Sequence, residues 1–199
     1  MTTTQQSSAL INFEIHTISS APHGSKALLK SSLDNYGMIP NLHGIMAESP
    51  QTFQGYLTLT KLVMESSFTP IERHVLWLVI NVENECHYCV PAHTLIAKQD
   101  GVADDIIEAL RTGQPIPTLR LETLRQFALA ILKHRGHPSP TNIENFLNVG
   151  FTHRQVLEVV LVIAHKVLSN YINALAETKL DPIFAQYAWA ANNTIEGNP

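Results

Sequence analysis

Cys86 and Cys89, three residues apart, are the only two cysteines in this 199-residue chain, and His93 follows the second by four. Thiolate rather than thiol is the nucleophile, so chemistry at such a pair depends on what lowers a cysteine's proton affinity. At 100° per residue, Cys86, Cys89 and His93 fall within about 60° of one another on one helical face. Cys89 and His93 form an i,i+4 pair, which lets the imidazole stand beside the sulfur and accept its proton. The imidazolium so formed stabilises the thiolate further. A spacing of three on a helix also brings the two Cα atoms near the roughly 5.5 Å that a disulfide prefers. The pair therefore reads as a nucleophile, Cys89, and a resolving thiol, Cys86, linked by a reversible redox-active disulfide. One local pair would staple nothing in a secreted scaffold. Structural zinc wants four ligands, and here the fourth would have to be Glu83, His87 or something remote. No metal or other cofactor is expected. Two inert core cysteines are the bland alternative.

Candidate proton relays are Glu83, one turn before Cys86, and Glu72, further back on the same stripe. Tyr88, between the cysteines, is expected half-buried over the site with its hydroxyl available as a donor. His16, His23, His43, His134, His137, His153 and His165 are expected as surface or capping residues, and Trp77 and Trp189 as core or subunit interface.

The elements that must hold this pair are helical. Apolar residues recur at steps of three and four in Ser25–Leu33, Gln51–Met64, Thr69–Asn84, Ala103–Leu110, Leu119–His134, Thr141–Leu147 and Thr152–Ser169. Ser49-Pro50 and Thr69-Pro70 are helix starts. Pro91 inside one unbroken helix from Pro70 would cost about 3 kcal/mol or more. The spacing therefore predicts a break around Asn84–Glu85 and a new helix from near Cys86, whose macrodipole favours thiolate. The last ordered piece is expected at Pro182–Ala191. The expectation is one all-α domain over 13–191, with flexible tails at 1–12 and 192–199.

Composition narrows the function classes. Hydrophobic residues are 45%, charged residues 15%, and the net charge is −4. That balance gives no basic footprint for nucleic acid. Met1–Ser8 holds no basic residue, so no targeting leader is expected. The longest strong apolar runs, Val75–Ile80 and Val159–Ala164, fall short of the roughly 20 residues that span a bilayer. A cytoplasmic protein with no membrane or nucleic-acid partner is expected. So little charge on long apolar helices suggests a homo-oligomer.

The run Glu83-Asn84-Glu85-Cys86-His87-Tyr88-Cys89-Val90-Pro91-Ala92-His93 resembles the redox motif of the carboxymuconolactone decarboxylase and AhpD-like superfamily, in particular its peroxidase-related branch. Met38–His43, Ser49-Pro50 and Val149–Thr152 are similar to that branch too, and the likeness spans roughly 13–190. The resemblance implies an AhpD-like helical bundle that is an obligate or near-obligate homo-oligomer, a trimer or hexamer. It also implies thiol-dependent alkyl hydroperoxidase activity in antioxidant defence, without haem or flavin. Cys86, Cys89 and His93 match the family's two cysteines and histidine, with the second cysteine meeting the peroxide. The family's relay glutamate, twelve residues before the first cysteine, falls at His74, and its histidine before the second cysteine is Tyr88. Glu72, Glu83 or His74 is expected to take the relay role.

Three activities follow. In the first, an organic hydroperoxide is reduced at Cys89, Cys86 resolves the product, and a separate thiol or dithiol restores the pair. In the second, the pair is a thiol–disulfide oxidoreductase or adaptor feeding electrons to another peroxidase. The third, a cofactor-free decarboxylase, has no need of a dithiol.

Overall fold

A computed structural model describes residues 12–191, and every regular element among them is helical. The tails expected at 1–12 and 192–199 lie, apart from Asn12, outside the described residues. The elements are α1 (His23–Tyr36), α2 (Asn41–Met46), α3 (Pro50–Met64), α4 (Pro70–Glu83), α5 (Cys89–Gln99), α6 (Asp104–Arg111), α7 (Leu119–Lys133), α8 (Pro140–Asn148) and α9 (His153–Ala176), followed by a 3-10 turn, Pro182–Tyr187.

Hydroxyl caps start four of these helices. Ser49, Thr69, Ser139 and Thr152 each accept the N–H three residues on, and Pro50, Pro70 and Pro140 fill the position after the cap. An unpartnered first-turn N–H loses nothing when proline removes it. Glu72 reaches back to the Thr69 N–H at 2.9 Å and closes a capping box, a feature worth about 1 kcal/mol.

Two apolar clusters result. In the larger, α4 runs through the middle with Val75, Leu76, Leu78 and Ile80 fully enclosed, flanked by α6, α7 and α9. Phe127, Phe146 and Phe151 stack there at 4.1 and 4.3 Å between ring centres. The smaller cluster gathers Leu29 of α1, Met46 of α2, Phe53 and Tyr56 of α3 and Phe184 of the 3-10 turn around Cys86, Tyr88 and Cys89. Each such side chain contributes about 1.5–3 kcal/mol on burial. The cysteine pair thus sits where α4 hands over to α5, against the smaller cluster.

Helix α9 runs past Ser169 to Ala176, further than its apolar pattern predicts. By length and mean hydropathy alone it could cross a bilayer. Within the fold it packs against α3 and α4, and its buried face carries Lys166, Ser169, Asn170 and Asn173.

Candidate active site

Helix α4 ends at Glu83, and the chain reverses through Asn84 and Glu85, the latter left-handed at φ 50°. The Cys86 N–H returns to the Asn81 carbonyl at 2.9 Å. Helix α5 then begins at Cys89 rather than near Cys86. The turn through Glu85 consumes the residues that would have made the extra helical turn, and Pro91 falls, as its chemistry requires, in the first turn. Cys86 consequently stands in the loop, with its sulfur capping α5 by accepting the Cys89 N–H at 3.3 Å.

Helix α9 supplies the opposite wall. Asn173 Nδ2 donates to Cys89 Sγ at 3.2 Å and lies 3.8 Å from Cys86 Sγ, so one amide bridges both sulfurs. The Cys89 thiol faces Ser169 Oγ at 3.8 Å. Asn170 ties this wall to α4, donating to Asn81 Oδ1 at 2.9 Å and accepting from Asn84 Nδ2 at 2.9 Å. Both cysteines are free thiols and both are buried, at 3% and 2% exposure.

The two thiols are electrostatically unequal. Burial alone would raise Cys89, but hydrogen bonding from Cys86, the Lys166 ammonium, Ser169 and Asn170 outweigh it and hold Cys89 below its ordinary value. Cys86 is pushed up, by its hydrogen bond with Cys89 and by burial. The arrangement favours thiolate at Cys89 and thiol at Cys86, which is the division a nucleophile and a resolving thiol need.

The cation responsible is not the expected one. His93 makes no hydrogen bond to either sulfur; its Nε2 accepts from Lys166 Nζ at 2.8 Å. Burial and the Lys166 charge press His93 well below its ordinary value. It is therefore neutral, with its proton on the enclosed Nδ1, and Trp77 tilts against it at 5.1 Å. Lys166, fully buried, is the residue that sequence reasoning missed. The available signal was the spacing of Lys166, Ser169, Asn170 and Asn173, a polar stripe along one face of an apolar helix.

The candidate relays lie elsewhere. Glu72 caps α4 and pairs with Arg120 Nε at 2.8 Å. Glu83 faces Lys133 at 3.3 Å. His74 binds Asp100 at 2.8 Å and reaches the site only through ring contact with Trp77 at 5.4 Å. Tyr88 is buried rather than half-buried, and its hydroxyl is committed to Asp181 Oδ2 at 2.5 Å. No carboxylate among the described residues bonds to either sulfur. Contrary to expectation, His16, His43 and His165 are interior. His16 meets Glu48 at 2.6 Å, His43 bonds Ser32 Oγ at 2.7 Å, and His165 stacks on Tyr56 and bonds Thr60 Oγ1 at 3.0 Å. Trp77 is core as expected. Among the described residues no three His, Cys, Asp or Glu side chains form a metal-holding group.

Comparison with known proteins adds context to this geometry. Residues 50–133 match the model of the carboxymuconolactone decarboxylase family. No curated protein matches the sequence. The fold is similar to that of an alkylhydroperoxidase AhpD core, an uncharacterized peroxidase-related protein from Ralstonia eutropha JMP134. That pair shares 22% identity at a TM-score of 0.74, covering 87% of this chain and 93% of the other. An uncharacterized peroxidase-related protein from Silicibacter sp. TM1040 superposes equally well, at 18% identity and a TM-score of 0.74 over 92% and 97% of the two chains. The debrominase Bmp8 in complex with 2,3,4-tribromopyrrole shares 16% identity, with a TM-score of 0.74 over 90% and 97%.

Proposed function

We infer that the chain, whose residues 50–133 match the model of the carboxymuconolactone decarboxylase family and which carries a buried dithiol, is a thiol-dependent alkyl hydroperoxidase of the AhpD-like kind. The observation that carries this reading is the unequal pair: a buried Cys89 held toward thiolate beside a Cys86 held as thiol, both gripped by Asn173. Cys89 thiolate attacks the distal oxygen of an organic hydroperoxide, breaking the O–O bond and giving a sulfenic acid and the alcohol. Cys86 then attacks the sulfenic sulfur, releasing water and forming the 86–89 disulfide. An external thiol or dithiol returns two electrons and two protons.

Burial favours this over the adaptor reading, because the small –OOH head of a substrate enters a site closed to the disulfide of another folded protein. Leu157, Tyr171 and Leu175 on the outer face of α9, at 59–73% exposure, support assembly as a homo-oligomer, a trimer or hexamer. Single-turnover reactions of two variants test the roles. Cys86→Ser should consume one equivalent of cumene hydroperoxide and stop at sulfenic acid on Cys89, while Cys89→Ser should consume none. A burst in Cys89→Ser and none in Cys86→Ser would reverse the assignment.

A further inference from the structure

Lys166 is fully buried, and no carboxylate among the described residues comes within 4 Å of it. A buried ammonium without a counter-charge is costly enough that such groups are paired or neutral. The surrounding groups come from four helices and one loop. His93 of α5 accepts its hydrogen bond, and His74 and Trp77 of α4 lie behind that ring. His165, its neighbour on α9, stacks on Tyr56 of α3 at 4.9 Å. Burial lowers His93 and His165 and raises Tyr56, so these three stay neutral. Asp100 answers His74 at the far side. What remains to balance Lys166 is the dithiol.

The geometry places them as two rungs of one ladder. Cys89 on α5 faces Asn173 and Ser169 on α9, and one turn further His93 faces Lys166. The helices run in opposite directions, so Lys166 stands about one turn, roughly 5.4 Å, along the axis from the Cys89 rung.

We propose that Lys166 is the proton donor of the oxidation step: it is charged while Cys89 is thiolate and gives up one proton as the disulfide forms. In the hydroperoxide reading on which this step rests, Cys89–S⁻, Cys86–SH, Lys166–NH₃⁺ and ROOH become the disulfide, Lys166–NH₂, ROH and H₂O. The O–O bond breaks, one S–O bond forms and is then replaced by the S–S bond, and the leaving alkoxide takes its proton from Lys166. The hydroperoxide oxygens accept the two electrons that the sulfurs lose, and no proton is drawn from solvent. The driving force is the loss of the thiolate. Once the sulfurs are neutral, an ammonium in this enclosure has nothing to pair with.

Exchange with oxidised dithiothreitol reads the proton count without any peroxide. Between about pH 7 and pH 8 the reagent takes up two protons on reduction. If the wild-type protein supplies both, one from Cys86 and one from Lys166, the exchange constant changes less than about twofold per pH unit. If Lys166 keeps its proton, the constant falls about tenfold per unit. Arginine holds the charge but cannot surrender a proton, so Lys166→Arg should convert the flat profile into the tenfold fall. An indicator dye in weak buffer gives the same count on the wild type alone, zero protons taken up per disulfide against one, and serves if the variant fails to fold. Cys89 must already be ionised across that pH range for the count to hold, so thiolate absorbance must show it titrating below about 7 in the reduced protein, as its lowering to about 6 requires. A tenfold fall in the wild type, a flat profile in Lys166→Arg, or a Cys89 midpoint at or above about 7 would overturn the proposal. A flat wild-type profile in a protein that leaves cumene hydroperoxide untouched would sink the peroxidase reading and leave the Lys166 assignment standing.

Discussion

Replacing Lys166 with methionine removes one positive charge from the site while keeping most of the buried stem. Its size of effect follows from the ladder: at about 5.4 Å and an effective dielectric near 20, the attraction between the ammonium and a Cys89 thiolate is about 3 kcal/mol. That converts to about two pKa units. The sign is fixed, since losing a cation disfavours the thiolate and moves the Cys89 titration upward. The reduced wild type should alkylate at Cys89 with a midpoint below the ordinary value of about 8.5, and the variant with a midpoint about two units higher. With Cys89 starting at about 6, the variant's rate near pH 7 should drop about tenfold, and the two rates should converge above about pH 10. Iodoacetamide labelling across pH, followed by mass spectrometry of the peptide holding Cys89, measures this directly. Far-ultraviolet circular dichroism checks that the variant is folded. A midpoint that stays within half a unit of wild type, or moves down, would refute the electrostatic account of Cys89.

Asn173→Leu should slow Cys89 alkylation at neutral pH about tenfold, the effect of losing a charge-assisted hydrogen bond of about 1.5–3 kcal/mol, measured by the same labelling. Tyr88→Phe leaves Asp181 short of a donor and should lower the unfolding free energy from urea titration by about 1–3 kcal/mol without abolishing the 86–89 disulfide. Glu83→Gln should leave single-turnover peroxide reduction within about twofold of wild type, because its partner is Lys133 and not the dithiol; stopped-flow assays test this. His43 is lowered to about 4 by burial, so the unfolded chain binds the extra proton first as pH falls below about 6.5. Its stabilising contribution is whole above that value and declines as pH drops toward 4, by about 2 kcal/mol at pH 5. Urea titrations at pH 7 and pH 5 should show this loss reduced in His43→Phe.

Much of this was legible in the sequence because the relevant physics is local. Thr69-Pro70 fixes a helix start, and Pro91 forces a break before it. Cys86 and Cys89 lie within one turn of each other whatever surrounds them. The same local rules, carried further, would have claimed Glu72: Thr69 followed three residues later by glutamate is a capping box, and the carboxylate is spent there. The position of Cys86 was less accessible, because a left-handed Glu85 is uncommon for a residue with a Cβ. What stayed hidden is set by contacts between distant segments. Glu83 finds Lys133, Tyr88 finds Asp181, and Cys89 finds Asn173 across 84 positions. An i,i+4 spacing permitted His93 to bond Cys89, but spacing sets reach, not choice, and the imidazole is taken by Lys166. A lysine in an apolar helix reads as solvated until the fold shows it enclosed.

The most direct measurement mixes fully reduced protein with one equivalent of cumene hydroperoxide and follows alcohol, thiols and the 86–89 peptide together. The account predicts one equivalent of cumyl alcohol, loss of both thiols, and a peptide lighter by two hydrogens, all appearing with one rate. Peroxide left intact while both thiols persist, or alcohol formed with Cys86 and Cys89 still free, would contradict it.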